Sequence, residues 1–548
     1  MADESHTSEL PGGWNYAEIW ERVADRIPDA QALVQGDRRI TWHEFDRHAD
    51  GLARLLLSRG VDEQDKVAVY LYNCPEYLET MFACFKAGLV PVNTNYRYGP
   101  EELTYLWNNS DSVAVVFHGT FAETVEKVRD RVGVKTWIWV DDGTGPCPEW
   151  AIPYQEALEA AGPSRTRAEW GRSGDHLNFI YTGGTTGMPK GVMWRQDDLV
   201  RATVGTVNPT FRDGPATLEK VDRAVGGPGM VQLPACPLMH GTGQFTSLIF
   251  LSLGGSVVTL TKRNFDVEEM LETIARERVN ALAIVGDAFA KPMLEALERE
   301  PERWDISSLI TITSSGVMWS EEVKKGLLRF NPNMMLIDVF SSSEALGMGQ
   351  SVSGGGGTFS TAKFVLGENA RVITDDGRDV VPGSGEVGRV AVKGHQPIGY
   401  YKDEEKTKAT FIELDGERWS VPGDYATVEA DGTITLLGRG SQCINTAGEK
   451  VFPEEVEEVL KLHPDVHDAA VVGLPDERWG QSVNAVVELE RGATLDEAAL
   501  IEHVKKHLAG YKAPKRVVPI DRLGRAPNGK VDYKRLREYA ARELGVRV

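Results

Sequence analysis

An α/β protein of at least two domains is what the 548-residue sequence predicts, and three observations predict it. Short apolar, β-branched runs alternate with stretches of helical period through the first two thirds, the pattern of mostly parallel sheets layered with helices. After about Ala370 the texture changes to short strands and D-G or P-G turns, as in an antiparallel sheet or small β-barrel. From about Arg439 a hairpin, a helix, two strands and a further helix make an α+β unit of about 110 residues, a normal domain size. The expected division is a large N-terminal domain over 1–438, barrel-like over about 365–438, and a smaller, mobile C-terminal domain over 439–548.

The elements follow in order. "ITWHEFDRHADGLARLLLSRG" carries apolar residues at helical spacing and stops at Gly60. "KVAVYLY" reads as a buried strand and "PEYLETMFACFKAG" as a helix closed by glycine. "VAVVF", "TWIWV", "ALAIVG", "LITITSSG" and "MMLIDVF" are further strands between helices. The most apolar run, "FTSLIFLSLGGSVVTL", is broken by Ser and Gly-Gly. It falls short of a membrane span, so a buried helix followed by a strand is expected. "PEEVEEVLKLH", with its acidic start and apolar stripe, reads as a purely structural helix. His43 and His48 do not form a metal pair, because five helical residues turn them by about 500° onto different faces.

A net charge of −21 excludes a polyanion-binding surface, so no nucleic-acid partner is expected. With 41% hydrophobic and 26% charged residues the composition is that of a soluble enzyme, expected in the cytoplasm. The five cysteines are scattered with no C-x-x-C pair, which points to reduced thiols. The polar, acidic start "MADESHTSEL" is no signal peptide.

The densest chemistry lies in "YTGGTTGMPKG", residues 181–191. A strand, "LNFIY", runs straight into it. Glycines let successive N–H groups turn toward one point and cradle phosphate oxygens. Thr hydroxyls add donors or metal ligands, and Lys190 adds a point charge. The spacing is not the Walker pattern, because Met188 and Pro189 separate Gly187 from Lys190. A plain Gly/Thr hairpin would need neither three threonines nor the lysine.

This stretch resembles the phosphate loop of the adenylate-forming superfamily, which includes acyl-CoA synthetases, peptide-synthetase adenylation domains and luciferases. The likeness runs over nearly the whole chain, in the superfamily's order. "ITWHEF" and "FKAGLVPVNTNYR" resemble its early structural motifs, and "LPACPLMHGTG" the segment whose His lies near the acyl carboxylate. "DVFSSSEALG" stands at the core motif, with Ser341 where Gly is usual. "VPGDYATVEADGTITLLGRG", "NTAGEKVFPEEVE" and "APNGKVDYKRL" complete the set.

The resemblance implies a fold, a reaction and a set of roles. Thr182, Gly183, Gly184, Thr185, Thr186 and Lys190 would cradle the phosphates of ATP. Glu344 and Thr185 would hold Mg²⁺, and Gly316, Asp338, Phe340, Ser341 and Ser343 would line the adenine side. Asp424 and Arg439 would bind the ribose. Lys530 would meet the α-phosphate and the incoming carboxylate. His240 and Gly241 would line the acyl site, and Gly448 and Lys450 would serve thioester formation with CoA. Ser441 stands at the hinge about which the C-terminal domain swings. Three departures fall in this part of the chain: Ser441 itself, Asn445 in place of a lysine, and Pro422 before Gly-Asp.

The resemblance is nearest to actinobacterial fatty-acid-type acyl-CoA synthetases, including those for steroid side chains, through "YTGGTTGMPKGVMWR" and "GDAFAKP". The implied function is an ATP-dependent carboxylic acid–CoA ligase for an apolar acid, with a pocket drawn from 240–248, 284–292 and 314–318. The implied partners are a small carboxylic acid, ATP and CoA, with no integral membrane segment and a homodimer left open. Lys505, Lys506, Lys512 and Lys515 would meet CoA phosphates or end a solvated helix. Two other readings stay open. One is a free-standing adenylating enzyme that loads a carrier protein or an amine; the short stretch after Lys530 makes an attached carrier unexpected. The other, of a different class, is a nucleotide-binding sensor whose chemistry has lapsed, for which only Ser441 and Asn445 speak.

Overall fold

Thr41 starts a helix by satisfying its first amides. Its hydroxyl accepts from the Glu44 amide at 3.2 Å, while the Glu44 carboxylate accepts from the Thr41 amide at 2.8 Å. The helix Trp42–Ser58 follows, and Gly60 lies just beyond it at φ 72°. The helix Pro75–Ala87 begins on proline and ends at Gly88, φ 68°. A Cβ on Gly88 would come within 2.5 Å of Trp170 Nε1, so space as well as backbone conformation demands glycine there.

The computed structural model describes residues 9–182, 188–317, 319–354, 363–446, 449–476, 480–526 and 529–547. Contacts divide the chain into two units. One is Met1–Gly347 with Ser351–Thr361 and Lys393–Ser420; the other is Met348–Gln350 with Ala362–Val392 and Val421–Val548.

The first unit is layered α/β. One sheet runs in the order Gly399–Tyr400, Lys190–Arg195, Leu177–Thr182, Val90–Asn93, Lys66–Tyr70, Ser112–His118, Thr136–Val140, Ile152–Pro153. It is parallel from Leu177–Thr182 onward, and antiparallel where Lys190–Arg195 meets its two neighbours. A second sheet sets Gln31–Gln35, Ser256–Thr259, Val231–Pro234, Ala281–Ile284, Thr311–Ser315 and Met335–Ser342 side by side and parallel. The expected strands at "KVAVYLY", "TWIWV", "ALAIVG", "LITITSSG" and "MMLIDVF" are all present. The apolar run forms the helix Gly241–Ser252 and the strand Ser256–Thr259. The main core gathers Trp14, Trp20, Trp42, Phe45, Phe82 and Phe85 under these helices. His48 pairs with Glu79 at 2.7 Å, and among the described residues no group of three His, Cys, Asp or Glu is placed to hold a metal. Among them, too, no helix is long and apolar enough to cross a membrane.

The second unit holds two sheets. Lys363–Leu366, Ile434–Arg439, Asp424–Val428, Val387–Val392 and Ala370–Ile373 pair antiparallel in that order. The other sheet takes the hairpin Ile444–Thr446/Glu449–Val451, the long pair Val466–Asp476/Gly480–Leu489, and Arg516–Pro519. The helices Pro453–Lys461 and Glu497–His507 cover one core, with Val456, Leu460, Leu500 and Val504; Tyr533–Leu544 covers another, with Leu536 and Ala540. Alternation along the 466–489 strands supplies Val471, Ala485 and Val487 to one core and Ala470, Val472 and Val486 to the other.

Candidate active site

The two ends of the glycine-rich stretch are fixed by a strand pair. Thr182 closes Leu177–Thr182, lies opposite Lys190 in register, and Lys190 opens the antiparallel strand. Gly183, Gly184, Thr185 and Thr186 lie outside the described residues. A Cβ on Gly191 would sit 2.7 Å from the Tyr181 ring, so any larger residue there would have to displace that ring. The Lys190 ammonium pairs with Asp403 and holds that carboxyl below its ordinary range.

Asn93, which sequence reasoning passed over inside "VPVNTNYR", ties this strand to the next motif. Its side chain accepts from the Tyr181 amide at 2.6 Å and donates to the Tyr181 and Met239 carbonyls at 2.9 and 2.7 Å. The residue after Met239 is His240, the N-cap of Gly241–Ser252. Gly243 packs so closely that a Cβ would lie 2.5 Å from the Pro237 carbonyl. A Cβ on Gly241 would lie 3.9 Å from Ser343 Oγ, so the start of this helix adjoins the core motif.

Gly316 directly follows the strand Thr311–Ser315, and Asp338 lies midway along the neighbouring parallel strand Met335–Ser342, level with the carboxyl end of the first, where open α/β sheets bind ligands. In register, Ser314 faces Asp338 and Ser315 faces Val339; Gly316 follows at φ 97°. Asp338 is buried, and its Oδ2 lies 3.2 Å from the wholly buried Lys324 ammonium. Phe340 is buried as well.

The segment after Phe340 is held from several sides. Ser341 Oγ accepts from the Gly347 amide at 3.1 Å, and the Ser343 carbonyl accepts from Trp194 Nε1 at 2.9 Å. Ser420 Oγ donates to the Glu344 carbonyl at 2.7 Å, and the Tyr400 hydroxyl donates to Glu344 Oε1 at 2.8 Å. Glu344 is 8% exposed, its side chain held by the Tyr400 hydroxyl and its carbonyl by Ser420. Tyr400 pairs with Val192 and Trp194 lies on the same strand, so the strand that Lys190 opens also braces Glu344.

In the second unit Asp424 and Arg439 face each other across a strand pair, with Nε 3.2 Å from Oδ1. Asp424 Oδ2 is buried and has no hydrogen-bond partner among the described residues. Lys530 is exposed at the end of a turn closed by Ala526 N to Lys530 O at 2.8 Å. Asn445 and Lys450 are cross-strand neighbours in the hairpin. Gly448 lies outside the described residues, and so do the side chains of Ser441 and Lys450.

The first unit carries Thr182, Lys190, His240, Gly241, Gly316, Asp338, Phe340, Ser341, Ser343 and Glu344 on two sheets and one helix start, and the contacts of Asn93, Trp194 and Tyr400 link parts of this set. The second unit carries Asp424, Arg439 and Lys530.

The fold is that of an adenylate-forming enzyme. The model of the AMP-binding enzymes matches residues 20–401, and that of the AMP-binding enzyme C-terminal domain matches 455–530. The chain belongs to this family. It is 41% identical to the 3-oxocholest-4-en-26-oate–CoA ligase of Rhodococcus rhodochrous over 97% of this chain and 96% of that one. It is 40% identical to the medium/long-chain-fatty-acid–CoA/3-oxocholest-4-en-26-oate–CoA ligase of Mycobacterium marinum, covering 96% of each. Among solved structures, ATP-bound MatB from Rhodopseudomonas palustris matches with a TM-score of 0.80 and 25% identity, over 97% of this chain and 100% of that one.

Proposed function

We propose that this protein is an ATP-dependent carboxylic acid–CoA ligase for an apolar acid, of the fatty or steroid side-chain type. The observation that carries the reading is the buried Glu344, held by Tyr400, just past the end of the strand Met335–Ser342 that carries Asp338 and Phe340 and pairs in parallel with the strand leading to Gly316. Relatives named as ligases of such acids, similar along nearly the full chain, support the acid class.

A carboxylate is not attacked by a thiol, because its own oxygen leaves too poorly. In the first step the acid's oxygen attacks the α-phosphorus of ATP and pyrophosphate departs, giving acyl-AMP. In the second the CoA sulfur attacks the acyl carbon and AMP departs. Both steps bring anions together, so positioned cations and donors dominate the catalysis. Thr182 and Lys190, with Gly183, Gly184, Thr185 and Thr186, take the phosphates. Lys530 neutralises the α-phosphate and the carboxylate as they meet. Asp338 accepts from the adenine amino group while Phe340 stacks on the ring. The unpartnered, buried Oδ2 of Asp424 suits a ribose hydroxyl, with Arg439 holding the other oxygen. His240 and Gly241 line the acyl carboxylate; Gly448 and Lys450 serve the thioester step. The working boundary is Gly438/Arg439, with Ser441 as the pivot.

Magnesium bound with the nucleotide would polarise its phosphates, and it commonly takes one or two carboxylates alongside them. Glu344, a buried oxygen donor oriented by Tyr400, fits that need, with Thr185 as second ligand.

The test is pyrophosphate and AMP release with ATP, Mg²⁺ and a panel of medium-chain, long-chain, aromatic and steroid acids, with and without CoA. CoA-dependent turnover of an apolar acid, lost in Lys530→Ala, is the expected result. Pyrophosphate release that CoA fails to accelerate would move the acceptor to a carrier protein or amine. Silence across the panel would sink the ligase reading.

A further inference from the structure

Behind the turn that carries Lys530 stands a guanidinium that the reaction does not use. Arg525 donates from Nε and Nη2 to both oxygens of Asp468, at 2.6 and 2.7 Å, and from Nη2 again toward the Ala469 carbonyl at 3.4 Å. Its remaining nitrogen, Nη1, donates to the carbonyl of Gly529 at 3.0 Å, one residue before Lys530. Asp468 sits near the start of the long strand Val466–Asp476, paired with Glu488 of the neighbouring strand. Burial works against its charge, yet Arg525 holds the Asp468 carboxyl below its ordinary range.

Two backbone hydrogen bonds join the described residues on either side of the turn. Gly529 N donates to the Ala526 carbonyl at 2.7 Å, Ala526 N to the Lys530 carbonyl at 2.8 Å, and Gly529 stands at φ 71°, which favours glycine. The planar fork of the arginine engages strand and turn at once, a geometry the single ammonium of lysine cannot match. Buried ion pairs add little net stability compared with an apolar replacement, so their use is often to specify geometry.

We propose that Arg525, anchored on Asp468, is a positioning residue for Lys530: it sets the height and direction of the turn from which the lysine reaches the adenylation reaction. This rests on the role given to Lys530 above. A residue that merely supported the fold would weaken every activity of the enzyme together. A residue that aims Lys530 would weaken one half-reaction.

The experiment uses the full chain and dodecanoate as the acid, comparing Arg525→Met, Arg525→Lys, Asp468→Asn and Lys530→Ala with the wild type. ATP–pyrophosphate exchange reads adenylation. Thioester formation from synthetic dodecanoyl-AMP and CoA reads the second half-reaction without the first. Misplacement of a reacting group by an ångström can cost about 100-fold. Arg525→Met is expected to lose exchange by about 10–100-fold, with thioester formation within about twofold of wild type and the thermal midpoint reported alongside. Arg525→Lys should recover part of the loss. Asp468→Asn keeps the shape and one acceptor, and should show a smaller loss of the same one-sided kind even if Arg525→Met folds poorly. Equal losses in both half-reactions, or normal exchange in Arg525→Met while Lys530→Ala is dead, would overturn the positioning role alone. Normal exchange in Lys530→Ala would overturn the reading of Lys530, and the positioning role with it.

Discussion

Tyr400 donates its hydroxyl to Oε1 of Glu344 across 2.8 Å, linking two residues that stand 56 apart in the chain. The tyrosine is buried and packs its ring against Phe411. The hydroxyl thus reaches the carboxylate from a rigid base, and a hydrogen bond to a charged group there is worth about 1.5–3 kcal/mol. Its role in the proposed chemistry is to hold one oxygen of Glu344 so that the carboxylate keeps a single orientation toward the phosphates.

Tyr400→Phe keeps the ring and removes only that bond. The expected result is a rise of about tenfold in the Mg²⁺ concentration needed for half-maximal pyrophosphate release, with the KM for the acid little changed. A direct titration of nucleotide binding in the presence and absence of Mg²⁺ gives the same answer without turnover. An unchanged Mg²⁺ requirement would show that Tyr400 only fills space.

The Lys324–Asp338 pair makes a second prediction. The Lys324 ammonium is fully buried, 3.2 Å from Asp338 Oδ2 and 5.4 Å from the centre of the Trp319 ring. Removing one partner of a buried ion pair costs about 3–5 kcal/mol. Lys324→Met should therefore be strongly destabilised and should bind ATP less well. The double variant Lys324→Met/Asp338→Asn should regain most of the stability. A double-mutant cycle by denaturant unfolding measures the coupling; additive losses would mean that the two side chains act independently. ATP binding by the double variant, set against GTP, then reports whether a neutral amide at 338 still selects adenine.

Strands such as "KVAVY" and "TWIWV" were legible because burial on both faces of a parallel sheet forces continuous apolar runs, and those runs need no knowledge of their neighbours. The glycine stops were legible for a similar reason: Gly60 and Gly88 answer a local backbone demand. The ordered motifs also marked Glu344, Asp338 and Lys530 as candidates. What they could not give was who stands behind each one. Tyr400 behind Glu344, Lys324 behind Asp338, Asn93 behind Tyr181 and Arg525 behind Lys530 are chosen by tertiary packing. Nothing in the spacing of a tyrosine or an asparagine announces a partner dozens of residues away. Only Asn93 lay within a stretch already singled out, and there it was one residue of a structural motif with no role of its own.

Lys86 is the centre of the most heavily charged part of the first core. Its ammonium is wholly buried, 2.6 Å from Glu21 and from Asp46 and 3.0 Å from Asp50. Arg172 joins Glu21 at 2.7 Å and Arg165 joins Asp46 at 2.9 Å. The network locks Tyr16–Arg26, Trp42–Ser58 and Pro75–Ala87 against one another. Lys86→Met is expected to lower unfolding stability by about 3–5 kcal/mol without a selective effect on either half-reaction of the folded fraction. Glu21, pulled down to about 2 by Arg172 and Lys86 against the effect of burial, makes the same core acid-sensitive. Its contribution is present above the ordinary 4.5 and lost as pH falls toward about 2. Glu21→Gln should flatten the acid limb of the stability profile, and an unchanged limb would remove Glu21 from the account.

Glu454 sets the opposite pH dependence in the second unit. Burial, then the neighbouring Glu457 and Asp424, push its carboxyl up to about 8. Its Oε2 is buried with no partner among the described residues, and it packs so closely that a Cβ on Gly438 would meet it at 2.1 Å. In the folded chain the group therefore keeps its proton at neutral pH, whereas in the unfolded chain it gives the proton up near 4.5. The folded state binds more protons between those values, so stability is full below the unfolded value and falls as pH rises toward about 8. The fall is at most about 1.4 kcal/mol per pH unit. Glu454→Gln carries a permanent neutral amide and should lose this dependence. Unfolding midpoints of the two proteins should diverge as pH is raised from about 5 to about 8, with the variant the more stable at the upper end. Because Gly438 adjoins Arg439, which holds Asp424, the wild type should also lose ATP affinity over that interval relative to the variant. Parallel profiles for the two proteins would mean that Glu454 is already ionised in the folded state.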